Sequence, residues 1–85
     1  MQSNMVSIDE VREVIASALG IDEGEVTDDI SQETCANWTS FNQLTLVVAL
    51  EEQFGLDLSM NEITSMTSLP QILAVLKKHS VTVEQ

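Results

Sequence analysis

Apolar residues recur along the chain at helical spacing, and each such run follows a serine that can begin a helix. In four places a serine precedes a glutamate or glutamine by three residues, which is the spacing of a capping box. These pairs are Ser7–Glu10, Ser40–Gln43, Ser59–Glu62 and Ser68–Gln71. The pattern predicts four helices, each beginning at or just after one of these serines.

The apolar stripe of each segment and its stop signal predict the length of each helix. Gly20 and Gly55 each precede an apolar residue, an arrangement typical of a left-handed helix end. After Ser59 only a short helix fits before Thr67. The stripes of the three longer helices are Ile8/Val11/Ile15/Ala18, Leu46/Leu50/Phe54 and Leu69/Ile72/Leu73/Leu76.

No alternating apolar and polar run is long enough to predict a sheet, so the expected fold is all-α. We expect a small bundle of three main helices plus one short helix, with a long loop from Gly20 to Thr39 anchored by Val26 and Ile30. A chain of this length forms one domain. Residues 1–85 are therefore interpreted as a single domain with an ordered core at about 7–79 and frayed ends.

The charge balance restricts the partners that this domain can bind. Fourteen acidic residues against three basic ones give a net charge of −11, while 44% of the residues are hydrophobic, a share that argues against disorder. Such a surface repels nucleic acid and anionic membranes. We therefore expect no nucleic-acid or membrane partner, and the natural partner is a protein with a basic surface.

Cysteine usage and the N-terminal sequence predict a cytoplasmic location. The single cysteine, Cys35, excludes a disulfide within the chain and fits a reducing compartment. The first residues lack a basic region followed by an apolar stretch, so no signal peptide is predicted. No apolar run approaches the length of a membrane span. A cytoplasmic monomer is expected.

Three groups of residues suggest chemistry and are interpreted as structural. Cys35 and His79 resemble a nucleophile and a base, but one of each in a chain this short is more often incidental. The acidic loop 22–29 lacks the ligand pattern of an EF-hand, so no dedicated metal site is predicted. Trp38 is interpreted as a packing anchor for the loop. The expected protein is therefore non-catalytic.

The segment TSFNQLTLVVALEEQFGLDL, residues 39–58, resembles the acyl carrier protein family. The resemblance continues upstream through VREVIASALGI and downstream through LSMNEITSMTSLPQIL, so it covers roughly Ile8 to His79. The family attaches 4'-phosphopantetheine to the serine of an Asp-Ser-Leu motif, and Ser40 occupies that place. Thr39 stands for the aspartate and Phe41 for the leucine. Thr39 can still cap a helix.

The resemblance implies a carrier that holds an acyl group as a thioester on a 4'-phosphopantetheine arm attached to Ser40. A helix N-terminus suits the phosphate, because its free N–H groups and dipole favour an anion. The implied partners are a phosphopantetheinyl transferase, an acyl-loading ligase or synthase, and acyltransferases with basic docking surfaces. An aminoacyl or peptidyl carrier is the alternative within the family. An unmodified acidic helical adaptor that binds basic partners is the alternative outside it.

The second helix also carries a predicted docking surface. Phe41, Leu44 and Val48 lie on another side of this helix from the Leu46/Leu50/Phe54 stripe, so they form an exposed apolar strip if that stripe faces the core. Glu51 and Glu52 add charge further along. Fatty-acid synthesis carriers usually have acids where Asn42 and Thr45 stand here, so the chain resembles a specialised, free-standing member. A tryptophan shortly before the serine, here Trp38, resembles the sequence pattern of discrete carriers from polysaccharide or secondary-metabolite pathways.

Overall fold

The computed structural model describes residues 4–84, which form four α-helices and a sheet of two short strands. In chain order the elements are β1 (Asn4–Ser7), α1 (Ile8–Leu19), α2 (Ser40–Phe54), α3 (Met60–Ser65), α4 (Leu69–Lys78) and β2 (Val81–Glu84). One 3-10 turn, Glu23–Glu25, lies in the loop between α1 and α2. The predicted bundle of three main helices and one short helix is confirmed. No helix in residues 4–84 is long and apolar enough to cross a membrane.

All four helices begin at or just after the predicted serines. The side chains of Ser7, Ser59 and Ser68 cap α1, α3 and α4, and each accepts a hydrogen bond from the N–H three residues further on. The predicted stops are also confirmed. Gly20 and Gly55 have φ angles of 71° and 67°, in the left-handed region that glycine adopts without strain.

The predicted start of α2 at Ser40 is confirmed, but Ser40 is not the residue that caps the helix. Thr39 is the N-cap, because its Oγ1 accepts a hydrogen bond from the N–H of Asn42 at 3.1 Å. Ser40 is the first residue of the helix. The side chain of Gln43 is buried and bonded elsewhere, so it does not complete a capping box with Ser40.

A two-stranded parallel sheet was not predicted, and the expectation of no sheet was wrong. β1 pairs with β2 in a register that places Asn4 beside Val81 and Ser7 beside Glu84. Ser80, with φ of 67°, turns the chain from α4 into β2. Each strand has four residues, and only β2, with the sequence VTVE, alternates apolar and polar residues, at the shortest length that indicates a strand. The prediction of frayed ends also covers residues 1–3 and 85, which lie outside the described residues.

The core lies between the helices and contains the predicted stripes. Val26 and Ile30 extend this core into the loop, as predicted, and Val81 adds β2 to it. Phe54 and Leu73 are only half-buried and pack at its edge. The fully buried side chains are Val11, Ile15, Leu19, Val26, Leu46, Leu50, Met66, Leu69, Ile72, Leu76 and Val81.

A buried amide joins the loop, α2 and α3. The Nε1 of Trp38 donates to Oε1 of Gln43 at 2.6 Å, and Nε2 of Gln43 donates to the carbonyl oxygens of Ile63 at 3.0 Å and Met66 at 3.2 Å. We call these three bonds the Gln43 clamp. It satisfies the indole N–H of a buried tryptophan and two carbonyls at the end of α3. The first turn of α2 is thereby held against α3.

A second polar contact holds α3 to the end of α4. Oε1 of Glu62 accepts from the N–H of Ser59 at 3.0 Å, and both carboxylate oxygens lie 3.0 Å from Nε2 of His79. Nζ of Lys78 lies 3.4 Å from Oε2 of Glu62. The Ser59 N–H, with a smaller effect from His79, lowers the pKa of Glu62 from 4.5 to about 2. Glu62 is therefore ionised in the folded protein.

Replacing Gln43 with methionine is expected to destabilise the protein by about 1–3 kcal/mol, because the buried Trp38 N–H and the Met66 carbonyl lose their partner. Chemical denaturation followed by Trp38 fluorescence measures the change. The exposed substitution Gln53→Met is the matched control and should leave stability nearly unchanged. Equal stabilities for the two variants would show that the Gln43 clamp contributes little.

Replacing Glu62 with glutamine is expected to lower the melting temperature near neutral pH, because the neutral amide loses the charge-assisted bonds. Folding depresses the pKa of Glu62 from 4.5 to about 2, so its stabilisation is complete above pH 4.5 and is lost as the pH falls towards 2. The difference between wild type and Glu62→Gln should therefore shrink over that interval in thermal denaturation.

Glu33→Gln removes an exposed carboxylate and serves as the control for Glu62→Gln. It should change the melting temperature much less at neutral pH. A difference between wild type and Glu62→Gln that stays undiminished down to pH 2 would contradict the assigned pKa of Glu62.

Candidate functional site

Ser40 is exposed at the first position of α2. Because Thr39 caps the helix, the hydroxyl of Ser40 is not needed for that task, and it makes no hydrogen bond within residues 4–84. The interpretation of Ser40 as a capping serine is therefore excluded. Its Oγ is open to solvent and available for covalent attachment.

The backbone around Ser40 favours an anion. The N–H groups of Asn42 and Gln43 are bonded to Thr39, whereas those of Ser40 and Phe41 have no partner in the described part of the chain. The first turn of α2 contains no acidic residue. Free N–H groups and the positive end of the helix dipole attract a phosphate. In a protein of net charge −11, the start of α2 therefore fits a phosphodiester on Ser40.

The segment that leads to Ser40 is held on both sides. Nδ2 of Asn37 donates to the carbonyl of Leu19 at 3.1 Å, and Nδ2 of Asn42 donates to the carbonyl of Asn37 at 2.7 Å. The Gln43 clamp adds the buried Trp38, which confirms Trp38 as a packing anchor. The end of α1, the loop and the start of α2 thus form one bonded unit beneath Ser40.

The residues of the Gln43 clamp were only partly found from the sequence. Trp38 was identified as an anchor, but Gln43 was assigned to a capping box. The missed signal is the position of Gln43, three residues before Leu46 and seven before Leu50, on the apolar face of α2. A polar side chain on a buried face needs hydrogen-bond partners inside the protein.

The structure places Phe41, Leu44 and Val48 together on the exposed side of α2. Their exposed fractions are 76%, 62% and 52%, whereas Leu46 and Leu50 are fully buried. We call these three residues the α2 strip. It begins one residue after Ser40, so a partner that packs on the strip lies next to the hydroxyl.

The two glutamates near the end of α2 lie in different surroundings. Glu51 is half-buried, and its Oε2 accepts from the N–H of Leu58 at 3.0 Å, so it holds the segment after α2. Glu52 is exposed and borders a groove between α1 and α2. Of these two glutamates, only Glu52 has a carboxylate that makes no bond to another described residue.

The other residues that suggested chemistry are Cys35, His79 and the acidic loop, and their contacts are structural. Cys35 is half-buried and lines a cavity of about 360 Å³ in the loop, with Ile21 and Ile30, and His79 is not part of that lining. In the acidic loop, Asp28 pairs with Arg12 at 2.8 Å. No three carboxylate, thiol or imidazole groups in residues 4–84 are arranged to hold a metal ion.

Comparison with known proteins identifies the family. Residues 9–76 match the family model described as "Phosphopantetheine attachment site". The chain is also similar to "Polyketide-8 synthase acyl carrier protein 2" of Streptomyces avermitilis, with 38% identity over 61 residues. The aligned part covers 72% of this chain and 70% of that protein.

These matches confirm the resemblance stated from the sequence, and they confirm 4'-phosphopantetheine as the cofactor. The start of α2 fits that group on independent grounds, through an unbonded serine hydroxyl and free N–H groups. The chain belongs to the acyl carrier protein family, whose members bear a covalently attached 4'-phosphopantetheine.

Proposed function

We propose that the protein carries an acyl group as a thioester on a 4'-phosphopantetheine arm attached to Oγ of Ser40, and delivers it to biosynthetic enzymes. The observation that carries this proposal is the exposed, unbonded hydroxyl at the start of α2, inside the residues that match the attachment-site family. The resemblance supports the same assignment, because Ser40 stands where the family motif has its serine.

The chain's own residues prepare the site. Thr39 takes the capping bond, and this leaves the Ser40 hydroxyl exposed. The N–H groups of Ser40 and Phe41 are free to bond phosphate oxygens. When attached, the group supplies a thiol for the thioester, and its tether raises the effective concentration of the cargo at a docked enzyme. The protein is thus proposed to act as a carrier and not as a catalyst.

An acyl cargo is favoured over an aminoacyl or peptidyl one. The similar protein of S. avermitilis is named as an acyl carrier protein of a polyketide synthase. By analogy, we propose that this chain carries an acyl cargo and acts in a biosynthetic pathway of that kind. The earlier alternative of an unmodified acidic adaptor is not favoured, because an adaptor has no use for an attachment site.

The α2 strip and Glu52 form the proposed docking surface for these enzymes. The strip offers exposed apolar area beside Ser40, and apolar contact supplies short-range affinity. Glu52 and the net charge of −11 attract basic partner surfaces and speed association. Glu51 is part of the docking surface predicted from the sequence, but its bond to the N–H of Leu58 means that its substitution also loosens the segment after α2. The cytoplasmic location and the monomeric state of the protein stay predictions.

Ser40→Ala is expected to abolish modification. Protein incubated with coenzyme A, magnesium and a broad-specificity phosphopantetheinyl transferase should gain the mass of one phosphopantetheine, measured by intact mass spectrometry. The alanine variant should gain none while it remains helical by circular dichroism, because the capping bond belongs to Thr39. Ser65→Ala removes another exposed serine and should be modified normally. Modification of Ser40→Ala would refute the assignment of the site.

Leu44→Asp is expected to lower kcat/KM for acyl loading of the modified protein by about tenfold or more, because an apolar contact of leucine size is lost. Leu44 is 62% exposed, so the fold should persist, and circular dichroism checks this. The measurement is steady-state loading by the dedicated ligase or synthase over a salt series. The loss should appear at every salt concentration.

Met5→Asp is the matched control for Leu44→Asp. Met5 is also apolar and 52% exposed, but it lies on β1 and not on the α2 strip. It should load at the wild-type rate apart from a small electrostatic effect. Equal loading of the two variants would place the docking surface elsewhere.

A further inference from the structure

The two-stranded sheet leaves one edge of β2 open. β1 pairs with one side of β2, and within residues 4–84 no third strand lies on the other side. Among the same residues, Val81–Glu84 form no backbone bond outside the sheet. The edge of a strand presents a row of N–H and C=O groups. The open edge of β2 is therefore available to a further strand.

A groove of about 310 Å³ runs between this edge and α4. Leu73 and Lys77 line it from α4, and Val81, Thr82 and Val83 line it from β2. Successive side chains of a strand point to opposite faces, so a groove lined by three successive residues follows the edge of the strand. β1 contributes no lining residue, so the edge beside the groove is the open one.

The lining of the groove is mainly apolar. Val81 is buried in the core, whereas Leu73 and Val83 are half-buried at the margin of the core. Thr82 is exposed. An apolar side chain that enters the groove would be removed from water, together with the exposed parts of Leu73 and Val83.

The groove also borders a cation that has no partner. α4 contains no acidic residue and carries Lys77 and Lys78, two of the three basic residues of the chain. Arg12 pairs with Asp28, and Lys78 pairs with Glu62. Within residues 4–84, Lys77 forms no ion pair, and no acidic residue lines the groove. The groove therefore complements a carboxylate on a partner.

The charge of the whole protein limits how acidic this partner can be. A net charge of −11 repels a segment with many acidic residues. A segment that carries one carboxylate among apolar residues meets little repulsion and still reaches Lys77. The chemistry of the groove thus selects an extended, mainly apolar segment with a single acidic residue.

We propose that the groove between α4 and β2 binds such a segment of another protein, which adds to the open edge of β2 as a third strand. An apolar side chain of the segment packs among Leu73, Val81 and Val83, and its carboxylate bonds Nζ of Lys77. Backbone bonds supply affinity, and these two side chains supply sequence preference.

Binding at this groove leaves the start of α2 accessible. No residue of α2 lines the groove, so a bound segment covers neither Ser40 nor the α2 strip. The protein could be held at the sheet by one partner while enzymes reach α2, and such tethering raises its local concentration. This inference goes beyond the proposed function and does not depend on it.

The test uses the unmodified protein and capped peptides of about six residues, the usual length of a strand. Valine and threonine alternate in these peptides, and one glutamate replaces each residue in turn. A second set has glutamine in place of glutamate. Isothermal titration calorimetry measures the dissociation constants. At least one glutamate peptide should bind, about three to five times more tightly than its glutamine counterpart.

Backbone methylation and NMR locate the peptide. N-methylation of alternate residues removes the N–H groups along one edge of the peptide. Of the two possible forms, one should lose binding and the other should retain it, because only one edge can bond β2. The amide signals of Val81, Thr82 and Val83 should shift on binding, whereas those of Ser40 and Leu44 should not.

Variants identify the groups that bind. Lys77→Gln should abolish the preference for glutamate over glutamine, whereas Lys78→Gln removes the same charge outside the groove and should retain it. Thr82→Phe fills the groove and should weaken binding of every peptide. Thr64→Phe enlarges an exposed threonine on α3 and should not. Circular dichroism checks that each variant is folded.

Four results would overturn the proposal. They are no measurable binding of any peptide, an undiminished glutamate preference in Lys77→Gln, equal binding by wild type and Thr82→Phe, and a peptide-free dimer that Thr82→Phe dissociates. Analytical ultracentrifugation detects the dimer, which would assign the groove to a second copy of this chain. Because the protein is unmodified, these results are independent of the phosphopantetheine test at Ser40.

Discussion

The buried amide of Gln43 is the contact on which the start of α2 depends. It bonds the indole of Trp38 and two carbonyls at the end of α3, so loop, α2 and α3 meet at one side chain. Because the amide is committed to the interior, it cannot bond the backbone at the helix start. Thr39 supplies the cap, and the hydroxyl of Ser40 remains free beside unbonded N–H groups.

Charge explains why the start of α2 suits an anionic group. The protein has a net charge of −11, yet the first turn of α2 has no acidic residue and presents the positive end of a helix dipole. The first turns of α1 and α3 contain acidic residues, so a phosphodiester there would lie beside carboxylates. The same acidic surface attracts basic proteins, so one charge distribution serves both the attached group and the proposed docking of enzymes.

The two sides of α2 have separate tasks. Leu46 and Leu50 pack in the core, while Phe41, Leu44 and Val48 remain exposed beside Ser40. Exposed apolar area lowers solubility unless a partner covers it or charge surrounds it. Here Glu52 follows the strip by one helical turn and borders the groove between α1 and α2.

The sequence by itself determined the four helices, because their caps, apolar stripes and glycine stops are local signals that act within a few residues. It also determined the family and Ser40 as the candidate for attachment, through the residues around the motif. The tertiary structure decided that Gln43 bonds Trp38 and α3 and does not complete a capping box with Ser40, because α3 lies twenty residues further along the chain. It decided the pairing of β1 with β2, the bond of Glu51 to Leu58 and the contact of Glu62 with His79 for the same reason. Each of these contacts joins segments that only packing brings together, and no local pattern records them.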